Sequence, residues 1–156
     1  MNKVINSAPI VIDAMGGDFA PGEVIRGSIE AHREFGLDII LVGQRQKIES
    51  YAGENRLDIS PFIIEESRST VGMDESPSSV LREKKDSSLY IGTGLVAGGK
   101  GGAFLSAGNT GAAMASSLIN IKRINGVNRP AIAAVIPLPD SSFVLLDAGA
   151  NADCKP

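Results

Sequence analysis

The sequence predicts an α/β fold, a mainly parallel sheet with helices on both faces, and three observations carry that prediction. Short apolar runs occur without polar alternation, which is how strands buried on both faces read. Helical patterns separate those runs, and strands alternating with helices argue for parallel crossover units. Glycine is above average usage, at 18 of 156 residues, and gathers at the ends of elements, as tight turns require.

The elements follow in order. "PIVIDAM" (9–15) is the first strand, its apolar residues running together. Pro21 fits the first turn of a helix over 21–36, with Glu23 at the positive N-terminal end and Gly36 as the stop. Val24, Ser28, Ala31 and Phe35 share one side of it, with Ile25, Ile29 and His32 beside them. "LDIILVG" is the second strand, "QRQKIESYAGEN" a short helix and "SPFIIEE" the third strand. "SRSTVGMDESPSS" is polar and punctuated, a loop. A helix then begins at "SPSSVLREKK", capped by Ser76 or Ser78, and "SSLYIGTGLVAGG" is another. "GAFLSAG" is a strand and "NTGAAMASSLINIKR" a helix. "RPAIAAVIP" and "SFVLLDAGAN" complete six strands, all expected in one sheet of a single domain over 1–156.

Composition narrows the function classes. With no Trp and a hydrophobic share of 43%, the core is built from Ile, Val, Leu and Ala. A net charge of −3 makes no case for nucleic acid, and Lys84–Lys85 reads as an exposed helix end. The lone Cys154 excludes an internal disulfide and fits a reducing compartment. No Cys/His cluster offers a metal site, and nothing calls for a cofactor. The N-terminus lacks a signal-peptide pattern, and no apolar run reaches the length of a membrane span. A cytoplasmic globular domain is expected.

Three strand ends carry Gly with Asp or Asn. The first is "DAMGGD", with Asp13, Gly16, Gly17 and Asp18. The second is "SAGNTG", where Ser106 and Gly108 lead into Asn109, Thr110 and Gly111 at a helix start. The third is "LLDAGAN", with Asp147 and Asn151. Carboxyl ends of parallel strands line the ligand crevice of an open sheet. A helix start adds unpaired N–H groups and a positive dipole end, so "SAGNTG" suits an anion as well as it suits a plain cap. Two nucleotide motifs nearly match and fail. Gly92 to Ala97 fits G-x-G-x-x-A without the acid that should follow, and Gly94 to Lys100 fits a P-loop except that Gly101 replaces Ser or Thr. Both read better as a helix with a glycine-rich stop. His32 reads as a half-buried structural residue, and a Ser-His-Asp arrangement has no other histidine to use. Cys154 reads as a small buried thiol.

Taken together, "IDAMGGDFAP", "FLSAGNTGAAMA", "RPAIAAVIP" and "LLDAGANADCKP" resemble the PlsX family of phosphate acyltransferases. The four segments keep the family's order and span Ile12 to Pro156. The resemblance implies a doubly wound, three-layer α/β/α sandwich, phosphotransacetylase- and isocitrate-dehydrogenase-like. It implies transfer of a fatty acyl group from acyl carrier protein to inorganic phosphate, giving acyl phosphate for phospholipid synthesis. It also implies a homodimer in the cytoplasm, peripheral to the inner face of the membrane, and a chain that is the N-terminal part of a longer enzyme. Phosphate is already an oxyanion, so the reaction needs positioning and charge stabilisation more than a base. On this reading Asn109, Thr110 and Gly111 are catalytic, and the turns and Arg129 hold substrate. Ionised Asp13, Asp18 and Asp147 repel phosphate, so they are expected to orient donors, cap loops or bond a Lys or Arg, with Arg129 a candidate partner. A non-catalytic α/β binding domain that docks acyl carrier protein or another partner is the competing reading, and a nucleotide-dependent dehydrogenase is disfavoured by the failed motifs.

Overall fold

The computed structural model describes residues 8–127 and 130–147, within two compact units, Met1–Lys122 and Arg123–Pro156. The first unit contains β1 (Ile10–Asp13), α1 (Gly22–Phe35), β2 (Ile39–Gly43), α2 (Arg45–Glu54) and β3 (Ile63–Glu66). It continues with α3 (Pro77–Arg82), α4 (Ser88–Ala97), β4 (Ala103–Leu105) and α5 (Thr110–Asn120). Its four strands pair in the order β3-β2-β1-β4, all parallel. Ile12 stands opposite Leu41 on one side and Leu105 on the other.

Alternation along the strands divides the core between two faces. Ile12, Ile39 and Leu41 pack with Ile25 and Ile29 of α1 and Ile48 of α2. Val11, Ile40 and Val42 point the other way and pack with Leu95 of α4. The result is helix, sheet, helix, as the unbroken apolar runs predict. On α1 the buried stripe is Gly22, Ile25, Ser28 and Ile29, whereas Phe35, expected among the inward residues, is 56% exposed. Gly36 turns the chain there with φ 66°, and His32 does the packing instead. Its Nδ1 lies 2.8 Å from the Leu37 carbonyl oxygen, and its ring meets Phe62 edge-on at 5.7 Å.

The nucleotide-like glycines have a packing explanation. A Cβ on Gly92 would run into the ring of Phe104, so the glycine lets α4 lie close against β4. The helix stops at Gly98 and Gly99, the latter at φ 73°, with their N–H groups donating to the carbonyls of Gly94 and Val96. Gly92→Ala is expected to destabilise the fold by about 2 kcal/mol, because overpacking outweighs the gain in helix propensity. Thermal melting checks it: at about 2–4 °C per kcal/mol for a chain of this size, a drop of roughly 5 °C follows.

The second unit departs from the expected single sheet. There β5 (Ala133–Pro137) and β6 (Ser142–Leu146) pair with each other, antiparallel, with Val135 opposite Val144. Only Leu138–Ser141 connects them. A parallel pair needs a crossover of about a dozen residues or more, so this connection can only turn back. Among the described residues no helix is long and apolar enough to cross a membrane.

Candidate active site

Because β1 and β4 are parallel neighbours, the turns that follow them meet at one rim of the sheet. Asp13, 2% exposed, joins them. One carboxylate oxygen accepts from the Met15 N–H at 3.0 Å, and the other accepts from the Ser106 hydroxyl at 2.8 Å. Ser106 Oγ in turn accepts from the Gly108 N–H at 3.0 Å. An acid, a hydroxyl and a backbone amide thus form one chain of bonds across both turns. Gly16 lies against it: a Cβ there would come 2.5 Å from Asp13 Oδ2, 2.8 Å from Ser106 Oγ and 2.9 Å from the Gly108 nitrogen. Gly17 adopts φ 101°, which L side chains resist.

Asn109 sits at the N-cap of α5 and is buried. Its Oδ1 accepts from the Ala112 N–H at 3.0 Å. Its Nδ2 shares two hydrogens among the carbonyls of Gly72, Met73 and Glu75, at 3.1, 3.0 and 2.9 Å. The side chain is therefore committed to the cap and to the loop before α3. What α5 leaves open is backbone: the N–H groups of Thr110 and Gly111 have no acceptor among the described residues, since the Ala112 and Ala113 N–H groups are satisfied by Asn109. Those two amides sit at the positive end of the helix dipole. Gly111 serves packing too, since a Cβ on it would come 2.7 Å from Pro77 Cγ of α3.

The loop facing Asn109 has a second anchor that the sequence reading missed. Lys84, expected on an exposed helix end, donates to the Thr70 carbonyl at 2.7 Å and pairs with Glu75. Nothing in local periodicity marks such a contact; the acids nine and ten residues upstream are its faint trace. Asn109→Ala is expected to free this loop. Losing a cap and the carbonyl bonds costs about 2–3 kcal/mol, read as lower melting and faster amide exchange at residues 70–76 and in the first turn of α5.

Asp18 is exposed. Asp147 follows β6 in the second unit, at φ 60°, with its N–H donating to the Ile132 carbonyl. Arg129, Asn151 and Cys154 lie outside the described residues. Among the described residues no group of three or more Asp, Glu, His or Cys is gathered to hold a metal. The site brought together in the first unit is therefore Asp13, Gly16, Gly17, Ser106 and Gly108 beside Asn109, Thr110 and Gly111.

Residues 8–156 match the family model described as fatty acid synthesis protein. The chain belongs to that family. Among curated relatives of this fatty acid synthesis family, the phosphate acyltransferase of Desulforudis audaxviator is 49% identical, over 94% of this chain and 43% of its own length. The phosphate acyltransferase of Heliobacterium modesticaldum is 46% identical, over 94% of this chain and 44% of its own. The chain thus spans somewhat less than half the length of the curated relatives it matches. Among solved structures, the EutD phosphotransacetylase from Staphylococcus aureus superposes with a TM-score of 0.64 at 23% identity, covering 95% of this chain and 49% of that one. That likeness shows the fold: a mainly parallel sheet flanked by helices.

Proposed function

We propose that this chain forms part of an acyltransferase that moves a fatty acyl group from acyl carrier protein to inorganic phosphate, giving an acyl phosphate for phospholipid synthesis. A phosphate oxygen attacks the thioester carbonyl; the C–O bond forms, the C–S bond breaks, and the thiolate leaves. The observation that carries the reading is that the N–H groups of Thr110 and Gly111, at the helix start just after the Ser106–Gly108 turn, have no acceptor among the described residues. Oriented amides at a helix start bind phosphate, or stabilise the tetrahedral oxyanion, without a protein base. The glycines at 16, 17 and 108 keep the approach clear, and Asp13 spends its charge on Met15 and Ser106.

Membership of the fatty acid synthesis family and the names of its relatives support the acyl and phosphate assignments. The family resemblance also carries the proposal of a homodimer acting at the cytoplasmic face of the membrane. The test uses the chain itself and a fusion of it to the remaining C-terminal part of the Desulforudis relative. Each is incubated with acyl carrier protein thioester and phosphate, and acyl phosphate is trapped as its hydroxamate. Product that depends on both substrates is expected from the fusion. A folded fusion that releases thiol without acyl phosphate, or makes no product, overturns the proposal.

A further inference from the structure

A groove of about 420 Å³ runs between α1 and the β1–β4 side of the sheet. Its apolar lining includes Ile12, Val24, Ala31 and Leu105, with Gly27 on the helix. Asp13, Ser106 and Ala107 line it as well, so the groove is continuous with the strand-end turns. Helix α1 covers β1 but not β4: Ile12 is 8% exposed, while its partner Leu105 is 57% exposed.

Gly27 is the informative residue. It lies inside α1, where glycine weakens a helix relative to alanine. A Cβ built on it would meet nothing within 4 Å among the described residues. Gly16, Gly92 and Gly111 each have a neighbour that forbids a side chain; Gly27 has none. Its bareness deepens the groove instead.

Resting on the acyltransferase reading above, we infer that this groove receives the alkyl chain of the acyl thioester, with Gly27 and Ala31 forming its helix-side wall. The volume falls in the range of roughly 300–1,000 Å³ usual for small-molecule sites, and apolar walls with a few polar groups at one end are their usual lining. A thioester carbonyl at the Ser106–Gly108 turn directs its alkyl chain along Leu105 and toward α1. Of the charged lining residues, Asp13 has both carboxylate oxygens engaged, and Glu23 stands in the exposed first turn of the helix.

The test measures binding of dodecanoyl- and butanoyl-pantetheine to the 156-residue chain by calorimetry, in phosphate-free buffer and below micelle-forming concentrations. Each buried methylene contributes about fourfold in affinity, so the dodecanoyl ester is expected to bind at least about a hundredfold tighter. Gly27→Leu fills the groove and improves helix propensity, so folding is retained; Ala31→Leu is the second variant, and far-UV circular dichroism checks both. Each is expected to weaken dodecanoyl binding at least about tenfold and to leave butanoyl binding within about twofold. Equal losses for both esters, no loss in either variant, or no dependence on chain length in the parent chain overturns the inference. So does dodecanoyl binding that disappears in the fusion, because a polypeptide segment then occupies the groove. Failure of the acyltransferase reading is separate: it appears as absent acyl phosphate, with length-dependent binding intact.

Discussion

Thr110→Pro is expected to lower acyl phosphate formation by about 10²–10³ while leaving melting nearly unchanged, because it deletes one N–H and little else. Thr110 is the first residue of α5, the position where a helix tolerates proline best, since its N–H has no intrahelical partner. The preceding Asn109 has φ −62° and ψ 108°, an extended conformation that a following proline also prefers. The Thr110 side chain is exposed, so its loss disturbs no core. Asn109 keeps its cap to Ala112 and its hold on the 72–75 carbonyls. The measurement is turnover of the fusion at saturating phosphate, beside the melting temperature of the 156-residue chain. Unchanged turnover would remove this amide from the anion site. Lower melting with proportionate loss of folded enzyme would make the helix start structural alone.

That experiment separates what the Asn109 substitution cannot. Asn109 has both of its amide groups bonded, so replacing it moves the loop, the cap and the helix start together. Proline at 110 and alanine at 109 therefore differ in their signatures. The first reports on a donor, the second on a scaffold.

The parallel sheet was legible because strands buried on both faces leave a plain mark: "PIVI" and "DIILV" carry few polar residues to break their runs and become the buried β1 and β2, whereas "FII" leads into β3 at the sheet edge, where Ile63 is exposed. The meeting of the glycine turns after β1 and β4, where the candidate site lies, was legible because each turn is built from adjacent residues. The site was not legible where a side chain reaches across the fold. Asn109 meets Gly72, Met73 and Glu75 more than thirty residues upstream, and Lys84 reaches Thr70, contacts that periodicity does not encode. The antiparallel pairing of β5 with β6 was legible in principle. "LPDS" is too short for a crossover, but the alternation of strands and helices before it favoured a continued parallel sheet.

Gly16→Ala is expected to cost about 3–4 kcal/mol and to abolish measurable turnover in the fusion, because the added methyl strikes the bonds that join the two turns. Its Cβ would lie 2.5 Å from Asp13 Oδ2, 2.8 Å from Ser106 Oγ and 2.9 Å from the Gly108 nitrogen, all closer than real contacts allow. None is the far end of a flexible side chain with room to move: Asp13 is 2% exposed and held by Met15 and Ser106. Overpacking of this kind costs about 1–3 kcal/mol, and separating Ser106 from Asp13 adds roughly 1.5–3 kcal/mol for a bond to a charged group. A double-mutant cycle identifies the cause. Ser106→Ala alone is expected to cost about 2 kcal/mol, since Asp13 and the Gly108 N–H each lose a partner. Combined with Gly16→Ala, it also removes the hydroxyl that obstructs the methyl group. The double variant should then fall short of the summed losses by about 1 kcal/mol or more, beyond the scatter usual for independent sites. Strict additivity in denaturant unfolding would mean that Gly16 is crowded by something other than the Asp13–Ser106 pair.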